Sequence, residues 1–289
     1  MSIFRTATQC FRRRAQSRIV IAFVVCFGVS VFVLPFSGFA VRLLLFFGFA
    51  PYNHSAMIPT TYRLLLISSS TVAGTGYFDH AESEIRDHFR GVDRVLFVPY
   101  ALADYEAYFS KARERFILMG LDLTSIHTAA NSCRAVSDAQ AIFIGGGNTF
   151  RLLKALYDLQ LLDPIRERVV AGMPYMGASA GSNVAGPTIR TTNDMPIVEP
   201  PSLAALNLFP YQINPHYLDP DPASTHMGET REERLLQYLE ENETPVVAIR
   251  EGSYLRVQNG EIWLKGRAAR IFRRGQQPYE INPPATIEL

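Results

Sequence analysis

The chain has 289 residues, 48% hydrophobic and 19% charged, which is enough to bury a substantial core and excludes wholesale disorder. Six of its 28 lysines and arginines, and none of its 27 acidic residues, fall within residues 1–56. Residues 57–289 therefore carry 22 cations against 27 anions, a net charge of −5 that offers no basic surface for nucleic acid.

The N-terminal segment stands apart. Residues 19–41 form an uncharged run of 23, and a membrane-spanning helix needs roughly 20 apolar residues. Arg12, Arg13, Arg14 and Arg18 would hold the preceding end in the cytoplasm and send the rest of the chain across. The same Arg-rich, acid-free stretch also reads as a transit peptide, and Met57 reads as an alternative start that leaves residues 1–56 out of the mature protein. The three readings stay open, and contact with a membrane is expected only if residues 19–41 are retained. Cys10 and Cys26 lie in this leader and only Cys133 beyond it, so no disulfide framework is possible in the main domain. A reducing compartment, the cytoplasm, is expected for residues 57–289.

Beyond the leader, short apolar runs at 63–68, 94–98, 121–126, 141–145 and 174–178 read as strands, and 104–118 and 149–159 have the apolar spacing of helices. Buried strands separated by helices predict a single three-layer α/β domain on a mostly parallel sheet. Past residue 200, "GETREERLLQYLEENE" predicts a polar helix. "PVVAIRE", "SYLRVQ" and "EIWLKG" predict strands, the last two joined through the "QNG" turn at 258–260. This region is expected to finish the same sheet. No internal repeat or low-complexity tract is present.

Two motifs fall at carboxyl ends of strands, where open α/β sheets build their sites. "GGGNTF" at 145–150 frees backbone N–H groups to face a bound oxygen. Asn148 or Thr149 can cap the helix that follows, and Asn148 is also a candidate substrate contact. Gly177-Ala178-Ser179-Ala180-Gly181 is the Gly-x-Ser-x-Gly pattern of a nucleophile elbow, in which small neighbours let a sharp turn lift the serine hydroxyl above the sheet. The Ala180 amide and one from Gly146 or Gly147 would then face a substrate carbonyl oxygen.

A serine nucleophile needs a base, and His216 in "YQINPHYLD" is the candidate best placed at a sheet edge. His80 and His88 sit in a charged helical pattern and read as solvated; His127 ends a strand on the far side of a loop. The acid that steadies the imidazole is either Glu251, after "VVAI", or Asp194, in "TTNDMPIV". A metal site through His216, Asp219, Asp221 and His226 is the competing reading, although their spacing matches no compact ligand pattern.

"GGGNTF", "GASAGSN", "PTIRTTNDMPIV", "LFPYQINPHY", "GETREER" and "REGSYLRV" resemble, in order and spacing, the peptidase E or α-aspartyl dipeptidase family, from about residue 63 to beyond 260. The resemblance implies a flavodoxin-like, class I glutamine-amidotransferase-like α/β fold in which serine replaces the amidotransferase cysteine. It also implies hydrolysis of dipeptides with N-terminal aspartate (Asp-X), with no cofactor and no metal. By motif, Ser179 matches the nucleophile, His216 the base and Glu251 the triad acid, while Asp194 matches an aspartate also proposed as charge-relay partner. Gly147 matches the oxyanion-hole position, and Arg231 an arginine associated with the substrate's β-carboxylate. Ala178 and Arg250 depart from the family pattern, the second placing a cation beside Glu251 in sequence. The expected partner is a small peptide and no nucleic acid, with the oligomeric state not readable. Two alternatives remain, a cyanophycinase-like peptidase and a non-catalytic α/β protein holding a nucleotide phosphate on "GGGNT".

Overall fold

In the computed structural model, which describes residues 58–225 and 227–288, the apolar runs become strands whose alternate residues feed two separate cores. β1 (Arg63–Ile67) sends Leu64 and Leu66 to one and Leu65 and Ile67 to the other, since successive side chains of a strand point to opposite faces. The chain continues through α1 (Glu82–His88), β2 (Arg94–Val98), α2 (Tyr105–Leu118), β3 (Asp122–Ser125), α3 (Ser132–Asp138), β4 (Ala141–Ile144), α4 (Thr149–Asp158), α5 (Leu162–Val170), β5 (Tyr175–Ala178) and α6 (Ala180–Asn183). It then runs through β6 (Gln212–Pro215), α7 (Arg231–Glu241), β7 (Val246–Ile249), β8 (Tyr254–Gln258), β9 (Glu261–Lys265), β10 (Ala269–Phe272), β11 (Tyr279–Ile281) and β12 (Ala285–Thr286).

The main sheet has the order β12-β9-β8-β1-β5-β4-β2-β3. From β1 to β3 every pairing is parallel, and from β8 to β12 every pairing is antiparallel. Ile85 of α1 and Phe116 of α2 bury against one face; Leu152 of α4, Ile165 of α5 and Ala180 of α6 bury against the other. The architecture is the predicted three-layer α/β fold. At the β8–β9 turn, Asn259 and Gly260 have φ of 56° and 83°, the paired positive values a tight hairpin needs.

The region after residue 200 does not all finish that sheet. β8, β9 and β12 extend it, whereas β11-β10-β7-β6 form a second, four-stranded sheet. The reason lies in β7, which is apolar on both faces: Val247 and Ile249 enter the larger core, and Val246 and Ala248 pack with Leu235 and Leu239 of α7. Such a strand is stable only inside a further layer.

Two histidines expected in solvent are enclosed. His88 is fully buried, with its Nε2 3.1 Å from the carbonyl oxygen of Tyr175, and both ring nitrogens of His80 are shielded from solvent. The helical pattern beside them is charged in part because Glu84, itself buried, pairs with Arg256 of β8 across the sheet face, and Asp87 reaches the same guanidinium. Among the described residues no helix is long and apolar enough to cross a membrane. The leader with its candidate span at 19–41, and His226 of the proposed metal set, lie outside the described residues.

Candidate active site

The elbow exists because two glycines let α6 settle against the sheet. A Cβ on Gly177 would stand 2.4 Å from the Gly181 carbonyl oxygen, and one on Gly181 would stand 2.0 Å from that of Ile144. Ser179 takes the turn between β5 and α6 at φ 52° and ψ −110°, a conformation costly for a residue with a side chain. Its N–H donates to the Ile67 carbonyl at 3.0 Å, and its own carbonyl accepts from the Ser182 and Asn183 amides at 2.9 Å each, which holds the strained turn in place.

His216 and Glu251 arrive from the second sheet. β6 and β7 run parallel with Pro215 opposite Ile249, so the residues that follow them emerge side by side. Ser68, at the carboxyl end of β1, locks this edge to the main sheet: its Oγ accepts the His216 N–H at 2.9 Å and donates to the Ile249 carbonyl at 2.8 Å. His216 also has positive φ, 53°, which turns its ring toward the elbow. Its Nε2 lies 2.9 Å from Ser179 Oγ and its Nδ1 2.8 Å from Glu251 Oε1.

Asp194, the rival acid, stands elsewhere. Its Oδ2 accepts from the Thr149 amide at 2.7 Å and hydroxyl at 2.5 Å and lies 3.2 Å from Thr192 Oγ1, which fixes it at the N-terminus of α4. The structure therefore brings Glu251, and not Asp194, to the imidazole. The two sequence segments gave no basis for choosing, because the choice depends on how the second sheet registers with the first.

The glycine loop passes against the serine: a Cβ on Gly146 would meet Ser179 Cβ at 3.0 Å. The Gly146 N–H donates to Tyr108 Oη at 2.8 Å, so Gly146 is engaged within the fold and Gly147, at φ 135°, is the remaining candidate donor of the two. Asn148 does not reach the cavity. Its Oδ1 caps α4 through the Arg151 amide at 3.0 Å and its Nδ2 donates to the Met195 carbonyl at 2.8 Å, so both ends of the side chain are occupied. Tyr108 and Ser68 were missed by sequence reading, since neither belongs to a motif and each acts through a backbone group far away in the chain.

A cavity of about 300 Å³ opens over Ser179, lined also by Thr149, Asn183, Asp194, His216, Leu218, Arg231 and Glu251. Arg231 is the first residue of α7, whose start is fixed by a capping box between Thr230 and Glu233. No described residue forms an ion pair with Arg231. Burial, and then neighbouring Arg234, lower it from the ordinary arginine value, while Asp194 opposes that shift. The proposed metal set is otherwise engaged: both Asp219 oxygens pair with Arg250, and both His216 nitrogens are used within the triad.

A serine hydroxyl, an imidazole and a carboxylate in series beside a cavity define an acyl-transfer site. The model of Peptidase family S51 matches residues 64–265. The chain is similar to Peptidase E of Streptomyces coelicolor, 52% identical over 220 residues, with 76% of this chain and 90% of that relative covered. It is also similar to the probable alpha-aspartyl dipeptidase of Drosophila melanogaster, 48% identical over 229 residues and covering 78% and 95% of the two chains. A solved peptidase from an acI-B1 Actinobacterium shares the fold, with a TM-score of 0.59 at 17% identity over 81% of this chain and 98% of that one. The chain belongs to peptidase family S51, and it is a serine peptidase.

Proposed function

We propose that this chain is a dipeptidase that hydrolyses Asp-X through an acyl-enzyme on Ser179. The observation that carries the reading is the His216 ring, bridged between Ser179 Oγ at 2.9 Å and Glu251 Oε1 at 2.8 Å.

In the first half-reaction Ser179 Oγ attacks the peptide carbonyl carbon and its proton passes to His216 Nε2. Glu251 accepts the hydrogen bond from Nδ1–H and balances the imidazolium. The Gly147 and Ala180 amides face the oxygen as it becomes an oxyanion, donors of a kind worth about 3–4 kcal/mol each in a preorganised site. Collapse breaks the C–N bond, and His216 returns the proton to the leaving amine of X. Water then attacks the aspartyl ester with His216 again as base, which releases aspartate and restores the serine.

Arg231 supplies the selectivity. A planar guanidinium without an ion-pair partner among the described residues, on the wall of the cavity, suits bidentate binding of the substrate's β-carboxylate better than a lysine would. The names borne by the Streptomyces and Drosophila relatives support the same substrate class. We assign this activity to residues 57–289 and place the domain in the cytoplasm, which its single free cysteine, Cys133, fits.

The test is hydrolysis of Asp-Leu, beside a β-aspartyl-arginine dipeptide, by the wild type and by Ser179→Ala in the presence of a chelator. Asp-Leu cleavage that survives the chelator and disappears in Ser179→Ala is expected. Preference for the β-aspartyl substrate would move the reading to a cyanophycinase-like peptidase. No cleavage, with thermal stabilisation by nucleotide, would move it to a binding protein.

A further inference from the structure

The cavity holds a second carboxylate that the acyl-transfer chemistry leaves unused. Glu251 is committed to His216, and Asp194 is the other acid on the cavity wall. Its Oδ2 is saturated by the Thr149 amide, the Thr149 hydroxyl and Thr192 Oγ1, while no described residue donates to Oδ1. Asp194 is also within electrostatic reach of Arg231, so the wall of the pocket carries one anion and one cation close together.

If the pocket takes N-terminal aspartate, as proposed above, that arrangement has a chemical reading. The aspartyl group presents two opposite charges outside the scissile bond, the β-carboxylate and the free α-ammonium. Arg231 complements the first. A dipeptidase must also distinguish a free ammonium from the neutral amide nitrogen of an internal residue, and an anion beside the acyl site does so by rewarding the charge. We propose that Asp194 Oδ1 binds the substrate's α-ammonium, making Asp194 the residue that confines this enzyme to the N-terminal end of a peptide.

A purely structural Asp194 is the competing account. It would hold the turn at 192–195 on the start of α4, and the three contacts to Oδ2 suffice for that. They leave Oδ1 unexplained. The two accounts differ in what happens to a substrate lacking the ammonium: a structural residue matters equally for both substrates, whereas an ammonium-binding residue matters only when the ammonium is present.

The experiment compares Asp-Leu with succinyl-leucine, which is the same molecule without the α-ammonium, on the wild type and Asp194→Asn. The wild type is expected to favour Asp-Leu in kcat/KM by tenfold or more, consistent with hydrogen bonds to charged groups. In Asp194→Asn that preference collapses by at least tenfold, while succinyl-leucine cleavage stays within about threefold of wild type. Asp194→Ser, which is uncharged and holds no oxygen at the Oδ1 position, is expected to do the same and provides the reading should the asparagine variant fold poorly. An unchanged preference, with both substrates losing rate together, would overturn the proposal and leave the dipeptidase reading intact. A wild type that cleaves neither substrate would sink both.

Discussion

Arg250 grips Asp219 through two parallel hydrogen bonds, Nε to Oδ2 at 2.8 Å and Nη2 to Oδ1 at 2.6 Å. The pair joins the residue before Glu251 to the loop three residues after His216. Arg250 also bonds Glu280 on β11 at 2.8 and 2.9 Å and the Ala268 carbonyl at 2.9 Å, and the carboxylates of Asp219 first and then Glu280 raise it above the ordinary arginine value. Arg250 follows β7, which ends at Ile249, and its guanidinium is engaged by Asp219 and Glu280 rather than by Glu251, its neighbour in sequence. Because Asp219 is half exposed, water screens the pair, and Arg250→Ala should cost about 1–2 kcal/mol. The expected outcome is a melting temperature lower by roughly 2–8 °C, with kcat reduced more than KM is changed. A variant as stable and as active as wild type would show that the clamp positions nothing.

Arg231→Ala should lower kcat/KM on Asp-Leu by more than tenfold relative to Asn-Leu, whose side chain lacks the negative charge. Arg231→Lys should recover part of the ratio but not all of it, since an ammonium cannot form the bidentate fork. A ratio that survives in the alanine variant would remove Arg231 from aspartate recognition.

Tyr108 acts through the glycine loop. Its hydroxyl accepts the Gly146 N–H at 2.8 Å, and burial pushes its titration upward, so it remains a neutral hydroxyl at working pH. Tyr108→Phe leaves that amide without its acceptor, a loss of about 1–3 kcal/mol where the amide stays dry, and frees the loop to turn Gly147 away from the oxyanion. Steady-state kinetics should show kcat down about tenfold with KM within about twofold. Equal effects on KM and none on kcat would mean that the loop only shapes the binding surface.

His88 makes stability depend on pH. Burial first, and then the Arg256 and Arg63 cations, hold it well below the ordinary histidine value of 6.5. The unfolded chain therefore gains a proton on this ring at a higher pH than the folded chain does. Its contribution is complete above about pH 6.5 and is lost as pH falls from there toward the folded value. Thermal unfolding should show a lower melting temperature at about pH 5.5 than at about pH 7.5. His88→Asn should flatten that slope without abolishing it, because burial shifts His80 in the same direction. An unaltered slope would assign the acid sensitivity to other groups.

The parallel strands were legible because each is a short apolar run flanked by helical spacing, and the elbow because only small residues fit around Ser179. The second sheet was not. β7 reads like any buried strand, and nothing in "VVAI" says which sheet owns it. The same gap left Glu251 and Asp194 undecided, since Pro215 standing opposite Ile249 is a fact of register that no local pattern carries. Asn148 was legible as a helix cap, and the residue of that loop that lines the cavity is its neighbour Thr149. His88 looked solvated from its charged neighbours Glu84 and Asp87, whose partner Arg256 lies 172 and 169 positions away from them.

The most direct measurement is mass spectrometry of the enzyme quenched during turnover of an activated aspartyl ester, with the modified peptide sequenced. An aspartyl group carried on Ser179, trapped more abundantly when Glu251→Gln or His216→Ala slows deacylation, is the predicted result. Turnover with Ser179 unmodified throughout, or with the acyl group on another residue, would contradict the account at its centre.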